Sequence, residues 1–294
     1  MCYNFSIMLS FFQAIILGAL QGISELFPVS SLGHSVILPQ LFGWNVNEQS
    51  PFFLMFLVAT HFATALVLLI FFWKDWVRIV KGLFRSFRDR EIKESDHDAK
   101  LGWLLVAGTI PAGILGLLFK DQIQQHFIMA SSAALALAFN GILLAGAEFL
   151  RRRKKREPSN VSGSDARIAK LSFGQGVKIG VLQILALIPG FSRTGSAIAG
   201  GLLTELSHED AVRFSFLLAT PLIGAAAVLE LPQLLFSGNV LAIEVSLVGA
   251  FYAALFAYLA VKFLTEYFAT PSRTLAPFAA YCFLAGIAAM IMLR

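Results

Sequence analysis

Gln21-Gly-Ile-Ser-Glu-Leu-Phe-Pro-Val-Ser-Ser-Leu-Gly-His34 sets an amide, a carboxylate, hydroxyls and an imidazole inside an otherwise apolar segment. Gln21 and Glu25 lie four apart and so share one face of a helix. Pro28 ends that helix, and Gly33 lets the backbone turn before an apolar run resumes at Ser35. A second interruption, Pro189-Gly-Phe-Ser-Arg-Thr-Gly-Ser196, adds an arginine. How these two breaks are read decides the fold.

The surrounding chain puts both breaks in a membrane. Its 294 residues are 57% hydrophobic and only 14% charged, with mean hydropathy +0.74. A soluble domain is nearer a quarter charged. The long uncharged runs and 28 Phe predict helices rather than the alternating strands of a barrel. The first twelve residues lack a positive n-region, so no cleavable signal peptide is expected. Cys2 is terminal and Cys282 sits in the last apolar helix, which supports neither a disulfide framework nor a thiolate metal site.

Working outward, 8–27 and 33–43 read as two half-helices of one re-entrant hairpin, 8–43. Non-helical backbone at membrane depth is tolerated only where protein or a wet cavity surrounds it. Spans follow at 51–73, 102–119 and 130–150, each near the ~20 residues needed to cross. After a basic linker at 151–173 comes a second re-entrant hairpin, 174–206, broken between 188 and 194, and then spans at 210–236, 241–267 and 275–293. The expected fold is an all-α polytopic membrane protein forming a single domain, 1–294. It has about six transmembrane helices and two broken re-entrant hairpins, arranged as an inverted-topology repeat of 1–150 and 174–294.

Internal similarity supports the repeat. Gly18-Ala-Leu-Gln21 leads to Pro28 and Ser31, while Gly180-Val-Leu-Gln183 leads to Pro189 and Ser192. Three crossings per half is an odd number, so the second half enters upside down, as in many transport folds. Charge agrees with this parity. Lys74, Arg78, Lys81, Arg85, Arg88, Arg90, Lys93 and Lys100 occupy one connection, and Arg151 to Arg156, Arg167 and Lys170 another on the same side. The opposite connections, 120–129 and 237–240, carry only Lys120. By the positive-inside rule the basic side is cytoplasmic, and the first hairpin opens outward. The basic run at 151–156 reads as a topogenic, lipid-touching anchor.

Charges in hydrocarbon cost ~2.5–3.5 kcal/mol on insertion scales, so Glu25 and Arg193 are functional candidates. One bland account is that they pair merely to lock the halves together. That leaves Ser30, Ser31, His34, Ser192 and Thr194 without a purpose. A phosphate ester or anhydride calls for backbone N–H groups at a helix start, hydroxyl donors and a guanidinium fork. Pro189 to Gly195 offers all three. A divalent ion calls for hard oxygens, which Glu25 and Gln21 supply from one helix face. A nucleophilic hydroxyl calls for a base, and Ser30 or Ser31 with His34 fits. The remaining polar residues read as unremarkable: His61 as a packed histidine, Glu148 as a partner of Arg151 or Arg152, and His126 and His208 as loop residues.

Gln21-x-x-x-Glu25, Pro28-Val-Ser-Ser31-x-Gly-His34 and Pro189-Gly-Phe-Ser-Arg-Thr194 together resemble the undecaprenyl-diphosphate phosphatase family, the bacitracin-resistance (BacA/UppP) type. The resemblance extends over nearly the whole chain and includes Phe214-Ser-Phe-Leu-Leu-Ala219. The chain departs from the family's second motif at Thr194, where serine is usual, and at Ala197, where threonine is. The resemblance implies removal of the terminal phosphate of undecaprenyl diphosphate on the outer face of a bacterial inner membrane. It also implies recycling of a cell-wall lipid carrier and resistance to bacitracin. The divalent cation would be Mg2+ or Ca2+, held at Glu25 and Gln21. Carried over, catalysis falls on Glu25, His34, Ser31 and Arg193, and phosphate binding on Ser30, Ser192, Arg193, Thr194 and Gly195. In the expected mechanism Ser31 or an activated water attacks phosphorus while His34 handles the proton. Expected partners are the membrane and the polyprenyl diphosphate lipid, with a homodimer as a candidate assembly and no nucleic acid.

Two rivals differ in class. Type-2 phosphatidic acid phosphatases need a histidine six residues after the arginine, where this chain has Ala199. A transporter or flippase for a phosphorylated lipid shares the repeat and the broken helices, and the clustered Ser, His and Glu favour chemistry over it.

Overall fold

The computed structural model describes residues 9–48, 50–126, 129–153, 163–235 and 239–293. Cys2, Lys154 to Arg156 and positions 236–238 of the second expected turn lie outside them. Among the described residues the ordered elements are all helical.

Ser10 caps the first helix, α1 (Phe11–Leu26), through a capping box with Gln13. Phe27 to Ser30 break the chain, and Ser30 caps α2 (Ser31–Leu41). Three apolar or amphipathic helices follow, α3 (Pro51–Phe71), α4 (Trp73–Asp89) and α5 (His97–His126), and then α6 (Ala130–Arg153). The second half opens with a short α7 (Ser164–Ile168). It continues with α8 (Phe173–Leu182), a 3-10 turn at Gln183–Leu187 and α9 (Arg193–Leu203). It closes with α10 (His208–Leu235), α11 (Val240–Ala269) and α12 (Ala276–Met292).

Helices α3, α5, α6, α10 and α11 are each long and apolar enough to cross a bilayer. The sixth expected span is the apolar α12 of 17 residues, about 26 Å at 1.5 Å per residue. The molecule is an all-α polytopic membrane protein. One element departs from expectation. The basic stretch after α3, read from its charges as a loop, is the amphipathic helix α4, which packs against α5.

The halves interlock in matching ways. The first limb of each broken hairpin packs on the second span of the opposite half, α1 on α11 and α8 on α5, while α6 and α12 pair with each other. At both crossings glycine faces glycine. A Cβ on Gly18 would collide with the Gly249 carbonyl, and one on Gly180 with the Gly108 carbonyl. This close backbone approach is the small-residue packing that membrane helices use where burial from water supplies no drive. It brings both hairpin breaks to the middle of the molecule.

Candidate active site

Each break ends in a serine N-cap. Ser30 Oγ accepts from Gly33 N at 3.2 Å, and Ser192 Oγ accepts from Gly195 N at 3.0 Å. The caps therefore correspond Ser30 to Ser192, one residue away from the Ser31–Ser192 match that counting from the prolines suggests. Aligned by their caps, Ser31 and Arg193 are equivalent: each is the first residue of its helix. A first-turn position is where free N–H groups and the positive end of the helix dipole favour an anion.

The two breaks are bound to each other. Ser30 Oγ also accepts from Gly190 N at 3.2 Å. Thr194 Oγ1 donates to the Glu25 carbonyl at 2.8 Å, and Ser192 Oγ donates to the Phe27 carbonyl at 3.4 Å. Asn140 of α6 braces both from behind: its Nδ2 donates to the Pro28 carbonyl at 3.0 Å, and its Oδ1 accepts from Ser192 N at 3.1 Å. Gly190 takes φ +109°, and a Cβ there would strike the Ala133 carbonyl of α6. Only glycine fits that turn.

Glu25 is the centre, with 7% of its surface exposed. Its Oε1 accepts from Arg193 Nη2 at 3.1 Å and Nε at 3.3 Å. Its Oε2 accepts from Ser31 Oγ at 2.5 Å and from Gln21 Nε2 at 3.3 Å. His61 Nε2 of α3 stands 3.3 Å from the same oxygen. The Leu57 carbonyl lies 2.7 Å from His61 Nδ1. A carbonyl and a carboxylate oxygen can both only accept, so making the two contacts takes a hydrogen on each ring nitrogen, with Nδ1 donating to Leu57 and Nε2 to Glu25. Two buried polar atoms here, Arg193 Nη1 and Gln21 Oε1, have no hydrogen-bond partner among the described residues. One is a cationic donor and the other a hard acceptor. An unmet pair of that kind is what a site for a phosphate and a cation would leave unfilled.

The structure thus gathers Gln21, Glu25, Ser31 and Arg193 into one bonded cluster, with Ser30, Ser192, Thr194 and Gly195 as its frame. His34 is placed differently. Its Nδ1 meets the Ser30 carbonyl at 2.5 Å and its Nε2 the Tyr281 hydroxyl at 2.8 Å, with the two rings stacked. The Ser30 carbonyl takes the Nδ1 hydrogen, so Nε2 accepts from Tyr281. The group bonded to the Ser31 hydroxyl is Glu25, not the imidazole expected from sequence proximity.

Three further residues meet the site. His61, expected as a packed histidine, instead faces the central carboxylate. Tyr281 and Asn140 carried no local signal, because each meets the site from a helix more than 100 positions away. His208, read as a loop residue, instead begins α10 and is buried with Nε2 2.7 Å from Glu148 Oε2. Glu148 also holds Arg152 at 3.1 Å.

A family model described as bacitracin resistance protein BacA matches residues 14–288. The chain is 45% identical to an undecaprenyl-diphosphatase of Mycolicibacterium paratuberculosis, over 97% of this chain and 98% of that protein. It is 42% identical to undecaprenyl-diphosphatase 2 of Chromobacterium violaceum, with coverage of 95% and 97%. It is also 42% identical to an undecaprenyl-diphosphatase of Acidiphilium cryptum, again covering 95% and 97%.

Proposed function

The chain belongs to the bacitracin resistance protein BacA family, and from that premise we propose that it is a membrane hydrolase that converts undecaprenyl diphosphate to undecaprenyl phosphate and inorganic phosphate. The observation that carries this reading is the Glu25 cluster, where a hydroxyl and a guanidinium from two different hairpins grip one carboxylate. Undecaprenyl-diphosphatases align with this chain over nearly its full length. Lipid-carrier recycling and bacitracin resistance follow from that reaction.

The division of labour follows the geometry. Arg193 and the N–H groups at the start of α9 bind the terminal phosphate, with Nη1 the donor left for it. Ser31 Oγ attacks the terminal phosphorus and passes its proton to Glu25 Oε2. The anhydride P–O bond breaks and undecaprenyl phosphate departs, its former bridging oxygen taking that proton from Glu25. Glu25, again a carboxylate, then takes a proton from the water that attacks the phosphoserine and returns it to Ser31 Oγ as phosphate leaves. His34 and Tyr281 hold the Ser30 carbonyl and so the turn before the nucleophile. A divalent cation, Mg2+ or Ca2+, would be held by Glu25 and by Gln21 Oε1, both hard oxygen donors. When bound it neutralises charge on the diphosphate. The site opens outward in this reading, because the basic connections lie on the opposite side.

The pseudo-symmetric halves are the feature that favours a phospholipid flippase instead. One experiment separates the two: purified protein in detergent with undecaprenyl diphosphate, Mg2+ or EDTA, and a free-phosphate readout. A hydrolase releases phosphate only with the metal. A transporter, lacking two compartments, releases none.

A further inference from the structure

Helix α4 divides its surface three ways. Ile79, Gly82 and Ser86 are buried: Gly82 lies against the backbone of Ala99, and Ser86 Oγ accepts from Trp103 Nε1 at 2.9 Å. A second stripe is apolar yet exposed, with Phe84 at 71%, Phe87 at 65% and Trp73 at 58%. At 100° per residue, Trp73, Val80 and Phe84 fall within about 40° of one another, and Lys74 and Lys81 follow about 80° round. The cations of α4 also divide. Arg78 pairs with Asp75, Asp98 and Asp165, Arg85 with Asp96, and Arg88 with Asp89. Lys74 and Lys81 are exposed and have no carboxylate within ion-pair distance among the described residues. Only Phe72 separates α4 from the end of the membrane-spanning α3, and Gly82 and Ser86 lie against Ala99 and Trp103 in the first two turns of α5, so α4 runs where one span ends and the next begins.

We propose that the outward face of α4 is a docking surface for anionic phospholipid. Trp73, Val80 and Phe84 enter the acyl boundary, and Lys74 and Lys81 meet the headgroup phosphates. A helix with an apolar stripe flanked by basic residues has the chemistry to lie on a membrane surface, and each lysine near an anionic surface adds attraction.

The full-length chain carrying Phe84→Cys and Cys2→Ser, labelled with a fluorophore at position 84, tests this in phosphatidylcholine vesicles; Cys282 is buried. The vesicles contain equal fractions of spin-labelled phosphatidylglycerol or spin-labelled phosphatidylcholine. The expected result is quenching about three-fold stronger by phosphatidylglycerol, falling to parity in K74Q/K81Q, with little quenching by aqueous iodide. Parity in the unaltered helix would overturn the proposal, and so would dominant iodide quenching, which would mean that the face looks into water or toward a soluble partner. A second readout needs no label: phosphatidylglycerol retained through detergent purification should fall several-fold in K74Q/K81Q, and equal retention would count against the proposal.

Discussion

Replacing Arg193 with Lys keeps a positive charge beside Glu25 but removes the planar fork and its free Nη1. A phosphate-release assay should show kcat lowered by about 10²–10³, the usual loss for one transition-state donor, with little change in melting temperature. Arg193→Ala is a poorer test, since an uncompensated buried Glu25 would cost ~3–5 kcal/mol of stability. His61 touches the site only through Glu25, which on the proposed mechanism makes it a positioning residue. His61→Gln, which can still present an N–H to Oε2, should stay within about ten-fold of the native kcat. His61→Leu should lose about 10–100-fold, as removal of a supporting partner commonly does, with KM unchanged in both. Equal kcat in Gln and Leu variants would remove His61 from the site's working parts.

At the scale of elements, the turn at Gly190 locks the second hairpin onto α6. Gly190→Ala adds a Cβ at φ +109° and against the Ala133 carbonyl. Thermal melting in detergent should therefore show a loss of at least ~1–3 kcal/mol, with phosphate release falling in parallel as Arg193 is displaced. The breaks themselves were legible in the sequence, because polar residues beside proline inside apolar runs are costly and so stand out. Helix α4 was not, although its 3.6-residue period is plain in Trp73, Trp76, Val80 and Phe84. Its charges also recur every three or four residues, so a basic connection and an amphipathic helix share one charge pattern and only the apolar stripe tells them apart. His61 was illegible for another reason. A lone histidine in an apolar helix looks the same whether it packs or faces a carboxylate, and only the fold of α3 against α1 brings it to Glu25.

Across the whole molecule, polar groups concentrate at two levels, the Glu25 cluster and an ion-pair belt that ties α4, α7 and α10 together. In the belt, burial works to raise the Asp165 carboxyl, but the Arg213 and Arg78 guanidiniums outweigh it and hold it below the usual carboxylate range. Arg85 does the same for Asp96. Carboxylates lowered in the folded state add stability above their unfolded pKa of about 3.9 and lose it as pH falls through the folded value. The belt's contribution is therefore constant between pH 5 and 8, where melting temperature should be flat on its account, and melting temperature should drop below about pH 4; a decline already at pH 6 would mean that other groups govern stability there. The meeting of the two hairpins is tested most directly at Ser31, by acid-quenching the enzyme during turnover of undecaprenyl diphosphate and mapping phosphate by mass spectrometry. The account expects phosphoserine at Ser31 that is absent from Arg193→Lys quenched at the same time. An unmodified Ser31, together with full single-turnover phosphate release by Ser31→Ala, would contradict it.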